Sequence, residues 1–168
     1  VNGLGCLESI GGNAFFHDIE IRNLGNLVSI GKNADFSGSR IGSLKNLEKI
    51  GGNGIFFNCS LGDLGNLKLI EGNASFGFSI VGDMGILEKI VGDLDLRHAA
   101  VESLKNIKFV GGSVSLNRSL VSDLGCLENV GKEMDLRYSK VVDLGNLKEV
   151  GGSLNLRNTS IKSLGNVE

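Results

Sequence analysis

The chain contains 168 residues, of which 41% are hydrophobic and 21% are charged, values that are ordinary for a single globular domain. Its net charge of −2 provides no general attraction to nucleic acid or to an anionic membrane, and no apolar run is long enough to span a bilayer. The 26 glycines, in a chain without proline, recur in phase with apolar residues. We therefore interpret them as residues with fixed structural places rather than as a sign of flexibility.

A phrase of the form LGNLKEVGG, as it stands at 144–152, returns every twenty residues without an insertion or deletion. We number repeat positions from the leucine that opens the phrase, so that Leu144 is position 1 and Ser163 is position 20. Positions 1, 4, 7 and 18 are apolar in every copy, a pattern typical of a solenoid whose units bury their apolar edges against their neighbours. The pattern predicts one array over 1–168, with eight complete units from Leu4 to Ser163 and partial units at both ends. Because the chain begins in mid-phrase, we expect it to be a piece of a longer protein.

Each phrase is predicted to begin with a capped turn. Position 20 is always Asn, Asp or Ser, residues that accept hydrogen bonds from unpaired N–H groups at the start of a helix. We expect these side chains to cap one helical or 3₁₀ turn, since the few residues before the glycines cannot form a full helix. The glycine pair at positions 8 and 9 is then expected to reverse the chain tightly, at positive φ.

Positions 11 and 13 predict a strand with one inward face, because residues two apart point to the same side of a strand. The early units pair a small residue with phenylalanine, as in Ala74 and Phe76, whereas the later units carry two aliphatic residues, as in Leu94 and Leu96. This exchange roughly conserves volume, as a close-packed core requires. We infer that positions 11 and 13 fill one shared space, and that a phenylalanine half and a leucine half of the array meet near residue 90.

Position 16 holds mostly small residues with a weak hydrogen-bonding group, which we expect to stack in register and to satisfy turn backbone. One of them is Cys59. Cys6 and Cys126 lie six units apart, too far for a disulfide in any stacked solenoid. Unpaired thiols favour the cytoplasm or a bacterial protein, and the compartment stays open. N-x-S sequons, which would matter only in a eukaryotic secretory pathway, begin at Asn58, Asn73, Asn117 and Asn158.

The unit L-x-L-x-x-[SAC]-x-[IV]-x-x-L-x-x-L-x-x-[IV]-x-G, seen at 94–112, resembles a leucine-rich repeat of the shortest class over essentially the whole chain. The repeated I-G-G before an alternating strand is also similar to receptor L-domains, a related β-solenoid. Both resemblances imply a β-rich, right-handed coil with one parallel β-sheet on its concave face, short 3₁₀ or irregular turns on its convex face, and ligand binding rather than catalysis. The family usually has asparagine at position 16, so we expect its asparagine ladder to be absent or weakened here.

The candidate binding residues lie at positions 12, 14 and 15, which face outward from the predicted strand or follow it. Like positions recur one strand away, about 4.8 Å, and so form columns across the sheet. The second half of the array contributes Arg97, Arg118, Arg137, Arg157, Tyr138 and His98, interleaved with Asp95 and Asp135, and the first half contributes Phe15, Ile55, Phe57 and Phe78. Arginine and tyrosine beside exposed aromatic residues are typical of a protein-binding face. Two other interpretations stay open: the arginines and aspartates only pair with one another on a solvated sheet, or Phe57 or Phe78 folds back into the core.

No catalytic residue, metal site or cofactor is predicted. His17 and His98 lie four units apart, and neither has a thiol at ligand spacing. The glycine pairs lack the residues of a phosphate-binding loop. An open sheet offers no cleft for catalysis, and the aspartates among the arginines argue against a nucleic-acid partner.

We therefore expect a non-enzymatic recognition module, or scaffold, that binds a protein partner or a glycan on its concave sheet. The alternative is a structural repeat protein that self-associates through its uncapped ends, end to end or face to face, into a filament or surface layer. The absence of recognisable capping units motivates this alternative, since bare apolar ends and strand edges invite association.

Overall fold

The computed structural model describes residues 3–164, which form a parallel β-solenoid of about seven turns. Each turn takes twenty residues, so that Ser9 pairs with Ser29 and Ile10 with Ile30. Within these residues the chain has no helix, and hence none that is long and apolar enough to cross a membrane. The predicted solenoid with a parallel sheet is confirmed.

Twenty short strands make up the regular structure of residues 3–164. In chain order they are β1 (Ser9–Ile10), β2 (Ala14–Phe15), β3 (Glu20–Asn23), β4 (Ser29–Ile30), β5 (Ala34–Asp35), β6 (Arg40–Ser43), β7 (Lys49–Ile50), β8 (Gly54–Ile55), β9 (Ser60–Asp63), β10 (Leu69–Ile70), β11 (Ala74–Ser75), β12 (Ile80–Asp83), β13 (Lys89–Ile90), β14 (Leu94–Asp95), β15 (Phe109–Val110), β16 (Val114–Ser115), β17 (Asn129–Val130), β18 (Met134–Asp135), β19 (Glu149–Val150) and β20 (Leu154–Asn155).

The strands assemble into three parallel sheets rather than the single sheet expected from the sequence. Sheet 1 contains the strands at positions 6 and 7, in the order β1-β4-β7-β10-β13-β15-β17-β19. Sheet 2 contains those at positions 11 and 12, in the order β2-β5-β8-β11-β14-β16-β18-β20, and is the sheet that the sequence predicts. Sheet 3 contains the strands at positions 17–20, in the order β12-β9-β6-β3. Segments expected to be turns form strands because an unbroken twenty-residue register lets their backbones pair as well.

The core consists of columns of like positions stacked along the coil. Positions 1, 4, 7, 11, 13, 16 and 18 are buried in the central turns, and Leu64, Leu67 and Ile70 are completely inaccessible to solvent. Leu67 thus lies at an inward position, as the repeat pattern predicts, whereas the adjacent Lys68 is exposed.

The phenylalanine half of the core is a stack of four rings at position 13. Phe36 and Phe56 have centroids 5.0 Å apart, and Phe56 and Phe76 have centroids 4.6 Å apart, with nearly parallel planes. Phe16 continues the stack at 5.2 Å from Phe36. A Cβ added to Gly54, at position 11, would lie 3.0 Å from the ring of Phe56. Positions 11 and 13 are therefore in contact in this turn, as the inferred shared space requires.

The turn at positions 1–4 is a β-turn, so the expected helical turn is wrong. In the fourth turn of the coil, the N–H of Leu67 donates to the carbonyl of Leu64 at 3.1 Å, and Gly65 has a φ of 54°. A left-handed residue at this place cannot start a right-handed helix. The capping role of position 20 is nevertheless confirmed, because Asp63 accepts a hydrogen bond from the N–H of Gly65 at 2.8 Å.

The expectation of positive φ at positions 8 and 9 is also wrong. Glycine there accommodates the close approach of stacked backbones, since a Cβ added to Gly31 would lie 2.5 Å from the carbonyl oxygen of Gly11. Not every turn requires it at position 8, where Glu71 and Val91 also occur. Positive φ occurs instead at position 2 and at position 15 in every described turn.

Sheet 3 ends where position 19 ceases to be glycine. A Cβ added to Gly82 would lie 2.5 Å from the carbonyl oxygen of Gly62, so each strand that follows another in this sheet carries glycine here, whereas the first strand, β3, carries Arg22. The next residue at position 19 is Glu102. Beyond it, the described part of this side contains only isolated bridges, such as that between Ser103 and Asp123. The phenylalanine half consequently has three sheets and the leucine half has two.

Candidate binding surface

The predicted binding residues lie on the outer side of sheet 2 and in the turn that leads from it towards the positions of sheet 3. Phe57 and Phe78 are 46% and 55% exposed, so the alternative that either ring folds into the core is wrong. Phe15 is 67% exposed but stands apart, since Asp35 separates it from the half-buried Ile55 and no ring contact within residues 3–164 involves it.

Two of the predicted arginines are held by the aspartates of their own strands. Nε of Arg97 donates to Oδ1 of Asp95 at 2.9 Å, and Nη2 donates to Oδ2 at 2.7 Å. The backbone N–H of Arg97 also donates to Oδ1, at 3.0 Å. Arg137 and Asp135 repeat this arrangement two turns further along. The interpretation as mutual pairing therefore holds for these two arginines, and each pair carries no net charge.

The pairing lowers the pKa of both aspartates. Burial raises the pKa of Asp95, but the hydrogen bonds and the charge of Arg97 together outweigh it, so that this pKa lies below its ordinary value. The hydrogen bond from the Arg137 side chain is the main cause of the lowered pKa of Asp135. Reciprocally, the pKa of Arg97 is raised, mainly by its hydrogen bond to Asp95. Neither carboxylate has the raised pKa that a general acid needs at neutral pH.

Position 15 has a left-handed backbone throughout. It closes a β-turn, as where the N–H of Ser79 donates to the carbonyl of Phe76 at 3.1 Å, with Phe78 as the third residue at φ 59°. His98, Arg118 and Tyr138 occupy the same place with φ of 57°, 55° and 57°. For residues with a bulky side chain this conformation is unfavourable by about 1–2 kcal/mol each. The sequence contained an indication of this left-handed conformation, because other units carry Gly, Asn or Asp at position 15.

Side chains at positions 14 and 15 stack on one another along the coil. The rings of Phe57 and Phe78 meet edge to face, with centroids 5.6 Å apart, and Phe78 stacks on the His98 ring at 4.6 Å with an interplanar angle of 8°. Further along, the Arg118 guanidinium lies 5.2 Å from the centroid of the Tyr138 ring. We call Phe57, Phe78, His98, Arg118 and Tyr138 the stacked column. The two patches predicted from the sequence thus meet in one surface, at Phe78 and His98.

Charged and apolar neighbours extend the stacked column. Arg118 and Arg157 have no carboxylate within ion-pair distance in the described part of the chain, and neither has the exposed Lys140. At the other end, Ile80 is 61% exposed and follows Phe78 by two residues. The sequence analysis selected no residue from position 17, which lies just beyond the predicted strand, and therefore missed Ile80 and Lys140.

A shallow depression of about 640 Å³ lies on sheet 2 between the two arginine–aspartate pairs. Its floor is small and polar, with Ser75, Ser115 and Asn117 among the lining residues. Along its border runs an asparagine ladder at position 10, in which Oδ1 of Asn53 accepts the N–H of Asn73 at 2.8 Å and Asn73 repeats the bond to the next turn. The ladder expected to be missing at position 16 therefore exists at another position, where it satisfies backbone donors.

Position 16 contains no reactive group within residues 3–164. The Ser39 hydroxyl donates to the carbonyl of Phe16 and accepts the N–H of Ile19, as expected, whereas the buried hydroxyls of Ser119 and Ser139 have no partner in the described residues. Burial raises the pKa of the Cys59 thiol to about 11. A thiol with this pKa is almost entirely protonated at neutral pH and is a poor nucleophile.

The described residues contain no cluster of three or more His, Cys, Asp or Glu side chains that could hold a metal ion. No protein-family model, curated protein or solved structure matches the chain. What can be said about its function therefore depends on the geometry of the surface itself.

Proposed function

We propose that this chain is a non-catalytic recognition module, a β-solenoid of the leucine-rich-repeat kind, that binds a protein partner through the outer side of sheet 2 and the turn following it. The observation that carries this proposal is the exposure of Phe57 and Phe78, whose rings contact each other while each remains about half accessible to solvent. Exposed aromatic residues that form a contiguous cluster usually mark an interaction site.

The rigidity of this surface supports a binding role. The ring of Phe57 lies over Gly77, and its Cδ2 is 3.4 Å from the place that a Cβ of residue 77 would occupy. The same ring also contacts the ring of Phe78. Arg97 is fixed by two side-chain hydrogen bonds to Asp95, and Arg137 is fixed by three to Asp135. Side chains that are already ordered lose little conformational entropy when a partner binds, so more of the contact energy remains as affinity.

The proposal is tested by probing the purified chain against a protein array and, separately, a glycan array, and by measuring each specific binder by calorimetry. The test variant combines Phe57→Ser and Phe78→Asn, which install residues that other turns carry at the same positions, Ser37 and Asn58. The control is Phe109→Ser, which removes a phenylalanine that is 37% exposed on sheet 1.

We expect a specific protein binder whose affinity falls by about tenfold or more in the double variant and is unchanged in the control. A binder that depends on Phe109 and tolerates the double variant would refute the proposed face. Specific binding to glycans alone would show that the partner class is wrong.

A further inference from the structure

The residues at position 15 are distributed unevenly with respect to their backbone conformation. Four turns carry residues that accept a left-handed backbone readily, namely Asp18, Gly38, Asn58 and Asn158. Between them, four consecutive turns carry Phe78, His98, Arg118 and Tyr138 at the same φ, where a bulky side chain is unfavourable. Folding alone would favour asparagine or glycine in all eight turns. Strained residues confined to one surface strip indicate that the strip has a use beyond folding.

Contacts within the stacked column cover part of its aromatic ring surface. The Phe78 ring meets the Phe57 ring edge to face and stacks on the His98 ring. The Tyr138 ring likewise has the Arg118 guanidinium over it. The edge of an aromatic ring is its electropositive part, and imidazole and guanidinium carry N–H donors at their edges. The N–H donors of His98 and Arg118 therefore favour a ligand with anionic acceptors.

The two ends of the column differ in character. At one end Phe57, Phe78 and Ile80 are apolar and about half exposed. At the other end, within residues 3–164, the cations Arg118, Lys140 and Arg157 have no carboxylate partner, although the chain as a whole has a net charge of −2. Acidic side chains of a partner could supply the missing counter-ions, while the apolar end would accept a hydrophobic side chain.

We propose that the stacked column binds an extended acidic peptide segment of a partner protein, which lies along the coil with a hydrophobic anchor on Phe57, Phe78 and Ile80. This inference rests on the proposed recognition function and specifies its partner. Successive turns are about 4.8 Å apart, so Arg118 and Arg157 lie about 10 and 19 Å from Phe78 along the coil. An extended chain advances about 3.3 Å per residue, which places the recognised carboxylates about three and six residues from the anchor.

The apolar end of the stacked column favours an acidic peptide over other polyanionic ligands. A sulfated glycan could satisfy Arg118 and Arg157 but has no aliphatic or aromatic group to cover Phe57 and Ile80. The bases of a nucleic acid stack on aromatic rings rather than on an aliphatic side chain such as Ile80. A peptide offers both groups at the required spacing. Its extended form also matches a surface that is long and narrow, with equivalent contacts repeated from turn to turn.

The experiment measures the fluorescence anisotropy of labelled synthetic peptides of about twelve residues, in which Phe is the anchor and the separation of two Asp residues from it is varied in both chain directions. Matched peptides carry Asn in place of Asp, and heparin and an oligothymidylate serve as anionic probes of other classes. The protein variants are Arg118→Asn with Arg157→Asn, and Phe78→Asn, which install residues found at these positions in other turns. Lys68→Gln with Lys108→Gln is the matched control on exposed cations elsewhere.

We expect the acidic peptides of matching spacing to bind at least about tenfold tighter than their amide versions. This preference should disappear in the double arginine variant and persist in the lysine control, and Phe78→Asn should remove the dependence on the anchor. The same variants should melt no lower than the parent chain, since asparagine accepts the left-handed backbone of Phe78 and Arg118, and Arg157 is exposed.

Three results would overturn the proposal: equal binding of acidic and amide peptides, displacement of every peptide by heparin or oligothymidylate irrespective of the anchor, or variants that melt lower and bind as before. The failure would be distinguishable from that of the recognition function. An array-derived protein that binds through Phe57 and Phe78 but competes with none of the peptides would refute only the acidic segment.

Discussion

The shared space of positions 11 and 13 can be tested by converting one turn of the phenylalanine half into a turn of the leucine half. Gly54→Val and Phe56→Leu, made singly and together, reproduce the pair formed by Val114 and Leu116. Gly54 and Phe56 are both buried in a central turn of the coil. If they share one space, the two substitutions must compensate each other.

Each single substitution is expected to destabilise the protein by its own mechanism. Phe56→Leu removes a ring stacked 5.0 Å from Phe36 and 4.6 Å from Phe76 and leaves a void, so we expect a loss of about 2–4 kcal/mol. Gly54→Val introduces atoms where even a Cβ lies 3.0 Å from the Phe56 ring and 3.3 Å from Cδ1 of Ile70, an overpacking that costs about 1–3 kcal/mol.

In the double variant the new valine occupies part of the volume that the ring vacates. We expect the combined loss to be smaller than the sum of the single losses by about 1–2 kcal/mol. Urea denaturation followed by circular dichroism gives the free energy of unfolding of the four proteins, provided that the slope with urea stays constant among them. Losses that add to within about 0.5 kcal/mol would show that the two positions do not share a space.

Three further predictions follow from the geometry. Leu67→Ala, at a completely buried position, should lower the free energy of unfolding by about 2–5 kcal/mol, whereas Lys68→Ala beside it should change it by less than about 0.5 kcal/mol; similar losses at both would mean that the repeat frame is misread. The pKa values of Asp95 and Asp135 are lowered below 3.8 in the folded protein, so the stability they contribute is present above the unfolded pKa and is lost as the pH falls through the folded pKa. The melting temperature of the Asp95→Asn variant should therefore depend less on pH, below about pH 5, than that of the parent chain. Parallel curves of melting temperature against pH for the two proteins would refute this. A recognition module should sediment as a monomer at high concentration, while concentration-dependent growth into long assemblies would favour the self-assembling alternative.

The repeat frame predicted the core with little error, because its inward positions obey one physical requirement. A column of like residues can pack in every turn only if each member is apolar and of compatible size, so Leu67 and its equivalents are visible in the sequence as invariant spacing. The exchange of phenylalanine for leucine at position 13 was also interpretable, since volume is a local property of a side-chain pair.

Backbone geometry was less accessible to sequence reasoning. Glycine at positions 8 and 9 was expected to provide positive φ, whereas Gly31 instead accommodates the carbonyl oxygen of the preceding turn. Sheet 3 depends on the same contact between Gly82 and Gly62. These contacts are between residues twenty apart in sequence, and their distances are set only when the turns of the coil stack on one another.

The binding surface was predicted in composition and not in arrangement. Arginine, aspartate and phenylalanine at outward positions were identified, yet the pairing of Arg97 with Asp95 and the stacking of Phe78 on His98 depend on side-chain direction. The left-handed backbone at position 15 was not predicted from the sequence for another reason, namely that Phe78 and Tyr138 are residue types that ordinarily avoid positive φ.

The sequence by itself determined the period, the inward columns, the place where one half of the core gives way to the other, and the outward residues that are available for binding. These are properties of single repeat positions, and each of them recurs in the eight complete units of the array. The tertiary structure alone decided that three sheets form, that glycine serves close backbone approach, and that two predicted patches make one surface with an apolar and a cationic end. Those outcomes depend on distances between neighbouring turns, because the energies of overlap, stacking and charge pairing vary steeply over a few tenths of an ångström to a few ångströms.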